Sequence, residues 1–320
     1  MSDTRSTIKE TFNNQTQLTD KELDYIYEQN LFKLFIPKEY GGEAYPLPRA
    51  LEHIFNAGKR DGSLGWCVNL GAGAGYFSGF FDSQAANDIF GSPKSVIAGS
   101  GTNSGTATYK NNQFIINGEW SKCTGSAHAT FFTVNALYEN NTVKSFAVPR
   151  QSVEIVPSWE LFALKKTSSD GIRISNAIIP EMYSFEMGVI KNKHAYAIHH
   201  LDFMPFARYC MAAAFYGMAK CFAHSVETFS NLGKDLITLI SDGQHDLMER
   251  ATRTWKHLDD GASIKHVDGL QESIGKNCRQ IFNKTNNIFY AHGMRLSDEN
   301  HYAHYAYRDV LLGSQHFLLK

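Results

Sequence analysis

The chain holds little that would mark a secreted, metal-bound or membrane protein. Its 320 residues include five cysteines, Cys67, Cys123, Cys210, Cys221 and Cys278. They are odd in number and scattered, and no two have CxxC spacing, which argues against a disulfide framework or a zinc site and for a reducing compartment. No run approaches the ~20 apolar residues of a membrane-spanning helix. The polar opening stretch MSDTRSTIKETFNNQ lacks the apolar core of a signal peptide. Neither sign of charge is in excess, with 31 Lys and Arg against 32 Asp and Glu. That balance argues against a phosphate-backbone footprint for nucleic acid and against a polybasic membrane surface. The pairs His199-His200 and His301/His304 have no acidic partner at ligand spacing, so no metal is expected. A Gly-rich stretch at 99–105 lacks GxGxxG spacing and lies between strands, which excludes a Rossmann phosphate loop. The expectation is a soluble, cytoplasmic chain.

What is present is an ordinary globular composition, 43% hydrophobic and 20% charged, in a chain long enough for two or three packed subdomains. The pattern predicts an α+β fold in three parts. An N-terminal helical domain spans 1–94: Thr19 to Glu22 offers capping residues before Leu23, Ile26 and Tyr27, Asn30 ends that helix, and Pro48 to Ala57 is a further helix. Leu64 to Phe81 is another, and its Gly71, Gly73, Gly75 and Gly79 are read as close-packing positions. A central β-domain spans 95–182, with turn signals at Asn111-Asn112, Asn117-Gly118 and Asn140-Asn141. Within it, Phe114 to Phe132 reads as a strand, a tight Asn117-Gly118 hairpin turn, a second strand and a break at Thr124-Gly125. A C-terminal helical bundle spans 183–320, with long helical stretches at Ala195 to Leu232, kinked or restarted at Pro205, at Leu270 to Ala291 and at Tyr302 to Leu319.

Several segments, in order, resemble the acyl-CoA dehydrogenase superfamily, in particular its reduced-flavin-dependent, two-component (group D) monooxygenase branch. Leu31 to Gly42 (LFKLFIPKEYGG) matches the family's Pro-x-x-Tyr-Gly-Gly loop, and Asp61 to Leu70 (DGSLGWCVNL) its Asp-Gly-Ser-x-x-Trp helix. Trp120 to Gly125 (WSKCTG) falls at the β-domain strand that meets the flavin, and Leu164 to Pro180 at its Thr/Ser-rich strand. Tyr307 to Leu318 carries the Arg-Asp followed by His of the last helices. The resemblance implies an acyl-CoA dehydrogenase-like fold and a reduced flavin, FMN or FAD, lying against the β-domain. Ser100 and Gly101 would run along its ring and Thr124 near N5, with Trp120 and Gly125 part of the same cofactor-binding element and Trp120 packing rather than reacting. His316 would be the catalytic residue across the ring, with a pKa near neutral for proton traffic. The same residues read without the family are a Thr bonding its own turn, a Gly-rich β-turn and a surface histidine near a chain end. Trp66, Phe77 and Phe206 are candidates to line a pocket for an aromatic or other small organic substrate.

Two departures set limits on that expectation. Val310 to Phe317 holds no Glu or Asp where a dehydrogenase places its α-proton base, and Thr228 to Thr252 lacks the Arg-x-x-Phe-Gly segment that reaches a flavin pyrophosphate. The bundle is also shorter than the family norm. Three readings follow: an oxygenase component served by a flavin reductase, an acyl-CoA dehydrogenase, or a catalytically silent paralogue that has lost its flavin and acts as a binding or assembly subunit. The resemblance implies a homo-oligomer, dimer or tetramer, formed through the C-terminal bundle.

Overall fold

A computed structural model describes residues 15–320; the polar stretch before them, including the start of the expected first domain, lies outside the described residues. Helices come first. α1 (Asp20–Glu28) starts on a capping box in which the Thr19 hydroxyl accepts from the Glu22 N–H and the Glu22 carboxylate accepts from the Thr19 N–H. Asn30 ends it with a left-handed φ of 53°. α2 (Leu47–Arg60) is followed at Asp61 by α3 (Gly62–Ala74), which tightens into a 3-10 turn at Gly75–Phe80, and α4 (Ser83–Phe90) leads into the sheet.

The β-domain is one seven-stranded sheet built from β1 (Ile97–Lys110), β2 (Gln113–Trp120), β3 (Phe131–Tyr138), β4 (Thr142–Pro149), β5 (Glu154–Val156), β6 (Gly171–Pro180) and β7 (Ser184–Phe185). Their order is β5-β6-β2-β1-β3-β4-β7, antiparallel except where β1 runs parallel to β3. The β1–β2 hairpin turns at Asn111-Asn112, both at positive φ as a mirror-image two-residue turn demands, and the β3–β4 hairpin turns through the three residues Glu139–Asn141, of which Asn140 and Asn141 have positive φ.

The expected turn at Asn117-Gly118 is not one. Both residues lie inside β2, where the β2–β6 register shifts between Ile116 and Gly118. Gly118 has a φ of 155°, and an added Cβ would fall 2.6 Å from the Gly105 Cα and 2.8 Å from the Trp120 ring. The glycine therefore makes room for an indole packed on the sheet, and the Asn117 carboxamide accepts from the Asn176 N–H at 2.7 Å. The pair marks a bulge, the other physical use of a glycine in a strand.

The C-terminal bundle comprises α5 (Phe203–Glu227), α6 (Leu232–Asp259), α7 (Leu270–Leu296) and α8 (Tyr302–Gly313). Of the expected kink or restart at Pro205, the chain shows a restart, with the α-helix beginning at Phe203. Pro205 sits in the first turn of α5, where a missing N–H costs nothing, and the preceding residues form only a 3-10 turn at Ala197–His200. α6 lies in a segment of the expected bundle to which no helix was assigned, although Leu236, Ile240, Leu247, Ala251 and Leu258 recur along it at helical spacing. α5 is buried on nearly every side, as an apolar helix at the centre of a bundle must be. α2, α3 and α5 cross on small residues: a Cβ on Gly65 would meet the Gly58 Cα at 2.3 Å, and one on Gly217 would meet the Phe55 carbonyl oxygen at 2.2 Å. A second core fills the β-domain, with Trp120, Phe132 and Phe146 among its largest side chains.

Candidate functional site

A cavity of about 440 Å³ lies between the sheet and the helices, within the ~300–1,000 Å³ usual for small-molecule and cofactor sites. Its β-wall is built by Gly99, Ser100 and Gly101 of β1, Thr133 and Asn135 of β3, Ser145 of β4, and Thr124 from the loop after β2. Its helical wall carries Asn69 and Gly73 of α3, Phe77, and Phe203, Phe206, Cys210 and Met211 of α5. His316, Phe317 and Leu318 of the C-terminal tail close a third side. The structure thus brings Ser100, Gly101, Thr124 and His316 together from two distant parts of the chain.

The β-wall is pre-organised by its own hydrogen bonds. Asn135 donates through Nδ2 to the Gly101 carbonyl at 3.1 Å and accepts from the Ser145 hydroxyl at 2.8 Å. The Trp120 indole N–H donates to the Asn135 carbonyl at 3.0 Å. Trp120 is therefore not on the cavity surface but behind it, holding the strand that lines it. The Thr124 hydroxyl bonds Ser169 Oγ at 2.8 Å rather than its own turn, and Ser169 in turn bonds the Thr167 hydroxyl at 2.8 Å. The Gly125 N–H donates to the Thr167 carbonyl at 2.8 Å, and its φ of 82° lets the chain reverse there. Gly125 shapes the loop that presents Thr124 and does not itself line the cavity. The Ser/Thr-rich 167–169 segment is thus the support of Thr124.

His316 lies beyond the end of α8, at the start of a 3-10 turn (Phe317–Leu319), and its Nδ1 accepts from the Leu318 N–H at 3.4 Å. That contact leaves the ring proton on Nε2. Its ring meets Trp66 edge-on with centroids 5.6 Å apart. Burial, with Lys122 adding to it, pushes the imidazole down to about 4. The neutral-range pKa expected from sequence is corrected accordingly: near pH 7 this ring is uncharged. Of the three aromatic residues expected to line a pocket, Phe77 and Phe206 do so, and Trp66 stands behind His316.

Other site residues carried no local signal. Thr133 and Asn135 alternate on β3, which the two-residue strand period makes legible only once the inward face is known. Asn69 sits in the Asp-Gly-Ser-x-x-Trp helix as one polar residue among apolar ones, 3% exposed. Of the four glycines read as packing positions, an added Cβ at Gly71, Gly75 or Gly79 would fall within 2.8 Å of Phe32, Ile36 or His199, whereas at Gly73 it would meet nothing within 4 Å. Gly73 borders the cavity.

A flavin fits these walls in kind: a polar edge of backbone and hydroxyl groups along β1 and at Thr124, an apolar face opposite, and open space at Gly101, where an added Cβ meets nothing within 4 Å.

No family profile matches the chain. It is 26% identical over 200 residues to a pigment production hydroxylase of Rhodococcus sp., covering 59% of this chain and 52% of that protein. It is 24% identical over 169 residues to the oxygenase subunit HsaA of a flavin-dependent monooxygenase from Mycobacterium tuberculosis, covering 51% and 43%. The matched region spans about half the length of these curated relatives. Over the whole fold, the 3-HSA hydroxylase from Rhodococcus sp. RHA1 superposes with a TM-score of 0.87 at 16% identity, covering 99% of this chain and 91% of that one. XiaF from Streptomyces sp., in complex with FADH2 and glycerol, superposes with a TM-score of 0.85 at 16% identity, covering 99% and 92%. The chain has the acyl-CoA dehydrogenase-like fold, which it shares with these solved structures, and its relatives in sequence include the oxygenase subunit of a flavin-dependent monooxygenase.

Proposed function

We propose that the chain is the oxygenase component of a two-component monooxygenase that hydroxylates a small aromatic substrate with a reduced flavin supplied by a separate reductase. The observation that carries this reading is the convergence of Ser100, Gly101 and Thr124 with His316 on one cavity whose opposite wall is aromatic. A bound reduced flavin supplies the two electrons that split O2, one oxygen atom entering the substrate and the other leaving as water. The chain's own residues bind and orient. Backbone groups of Ser100 and Gly101 and the Thr124 hydroxyl, fixed by Ser169, would hold the ring. Neutral His316 offers its Nε2–H as a donor to an oxygen of the substrate or oxidant, in a site whose apolar helical wall limits water.

The dehydrogenase reading lacks its base: no Asp or Glu lines the cavity among the described residues. The silent-paralogue reading is separated by binding. Anaerobic titration with oxidised and dithionite-reduced FMN and FAD is expected to show tight binding of a reduced form, followed by substrate oxidation on an oxygen pulse. Failure to bind any flavin would make a binding or assembly role the leading one. We also infer a homo-oligomer, supported by the exposed pair Tyr290 and Met294 one turn apart on α7, both more than nine-tenths exposed. A monomeric mass by light scattering would overturn that inference. No helix among the described residues is long and apolar enough to cross a membrane.

A further inference from the structure

The cavity has one buried polar group that the protein itself leaves half-paired. Asn69 is 3% exposed and lines the cavity, yet its one hydrogen bond among the described residues is from Nδ2 to the Met211 thioether at 3.6 Å, a weak acceptor. Its Oδ1 has no partner among them. Asn135, the other carboxamide on the wall, is satisfied at both ends by Gly101 and Ser145. The Asn69 oxygen is not one of the fully buried unpaired side-chain atoms among the described residues; it keeps access to the cavity, where water or a ligand group completes its hydrogen bonding.

The second observation is electrostatic. Among the described residues no Lys, Arg, Asp or Glu lines the cavity. Arg208, beside Ala207 on α5, is not among the lining residues, although its Nε is buried and without a partner among the described residues. His316 is uncharged near neutral pH. The mouth is apolar as well: the most exposed large apolar side chains lining it include Phe317 and Met187. A carboxylate carried into this space would lose its hydration with no cation on the cavity wall to replace it; Lys122 acts on His316 but does not itself line the cavity.

From these we infer that the cavity takes an uncharged aromatic substrate whose hydroxyl or carbonyl is held by Asn69, and that aromatic carboxylates are excluded. Asn69 would orient the ring from the buried end while Phe77, Phe203, Phe206 and Met211 pack its faces. The inference deepens the oxygenase reading by naming its substrate class and rests on it for the word substrate, though the binding itself can be measured without flavin.

The test is calorimetric titration of the purified chain at pH 7.5 with two matched pairs. 4-Hydroxyphenylacetamide and 4-hydroxyphenylacetate have nearly the same size and differ in charge; the amide is expected to bind about tenfold or more tighter. 4-Methylphenol and toluene differ by the hydroxyl; the phenol is expected to bind about tenfold tighter, and Asn69→Leu to abolish that margin while leaving toluene unchanged. Equal binding of amide and carboxylate, equal binding of phenol and toluene in the unaltered chain, or no binding of any ring would each overturn the inference. So would an Asn69→Leu variant that keeps the phenol's margin. Gly73→Ala needs no repacking, since its methyl enters open space, and should weaken every ring ligand without lowering the melting temperature; undiminished binding would show that the rings sit elsewhere. The flavin titration is read separately. Ring binding without flavin binding sinks the oxygenase reading alone, and flavin binding with a preference for carboxylates sinks this inference alone.

Discussion

His316 and Asp309 are both shifted by burial, in opposite directions and with opposite consequences. His316 is held at about 4, so it is neutral throughout pH 6–8, and a neutral donor has no titration there. Replacing it with Ala should lower turnover about 5- to 100-fold, the range for a lost hydrogen bond in a desolvated site, while reduced-flavin binding persists. The unaltered protein should show no inflection near pH 6.5 that disappears in His316→Ala; such an inflection in the pH–rate profile would mean that the ring is solvated and works as a general acid or base. Asp309, fully buried on α8, accepts the Leu164 N–H at 2.7 Å through Oδ1, and its Oδ2 has no partner among the described residues. Burial, with the Asp61 carboxylate adding to it, raises its pKa to about 8, against the pull of the Leu164 N–H and of Lys166. The unfolded chain releases this proton near pH 4, so the folded state binds more protons between there and pH 8, and stability falls as pH rises across that window by up to ~1.4 kcal/mol per unit. His128 and His199, both pushed down to about 4 by burial, act the other way, adding stability as pH rises toward 6.5 and nothing above it. The interval from pH 6.5 to 8 therefore belongs to Asp309. Asp309→Asn, which keeps the acceptor for Leu164 and carries no charge, should flatten the melting temperature across that interval and raise it at pH 8; an unchanged slope would show that Asp309 is already ionised.

At the scale of elements, glycine is the residue whose role the sequence hides most. Gly217 on α5 lies against the Phe55 carbonyl, and its added Cβ would also fall 3.0 Å from the Gly58 Cα. Helix propensity alone says that Gly217→Ala stabilises by ~1 kcal/mol, whereas the backbone contact says that it forces α2 and α5 apart at a cost of ~1–3 kcal/mol. Packing should win, and chemical denaturation should show a lower midpoint; a raised midpoint would mean that the crossing is looser than described. The same ambiguity explains what could be read in advance. Asn111-Asn112 and Asn140-Asn141 were legible as turns because two adjacent residues at positive φ are a local requirement. Asn117-Gly118 looked stronger than either, yet its glycine answers a distant demand, the Trp120 ring on the sheet. α6 is less apolar than α5, with Lys, Asp and Glu spread along it, but Leu236, Ile240, Leu247, Ala251 and Leu258 recur at helical spacing on its buried face, so its stripe was legible in the sequence and went unread. The β-wall and His316 were legible through short motifs. Asn69, Cys210 and Met211 were not, because a helix residue lines a cavity only where two helices fail to close, and long-range packing decides that place.

For the molecule as a whole, the three parts are tied together by one buried cation. Lys166, in the loop before β6, donates to Glu22 of α1 at 2.6 Å and to Asp61, between α2 and α3, at 3.0 Å. Burial opposes its charge, but Asp61 and Glu22 more than offset that and raise its pKa. Burial likewise works against the Glu22 carboxylate, and Lys166 with the Thr19 cap lowers its pKa nonetheless. Asp61 also accepts the Leu64 N–H at 2.9 Å as the cap of α3, the helix that carries Asn69 and Gly73 to the cavity. Two residues before Lys166, the Leu164 N–H is held by Asp309 of α8, and just after it Thr167 bonds Ser169, which fixes Thr124. One short loop thus joins the N-terminal helices, the β-domain and the last helix, and it supports the cavity's polar wall. Removing the cation leaves two carboxylates facing each other with no counter-charge, the arrangement in which breaking a buried pair costs ~3–5 kcal/mol. Lys166→Met should lower stability by about that amount and also loosen Thr124, so that flavin affinity falls with it. Adding Glu22→Gln and Asp61→Asn to Lys166→Met removes the stranded charge and should restore most of the stability. If the triple variant is no more stable than Lys166→Met, the lysine acts by filling space rather than by neutralising charge, and the tie between the three parts is one of packing.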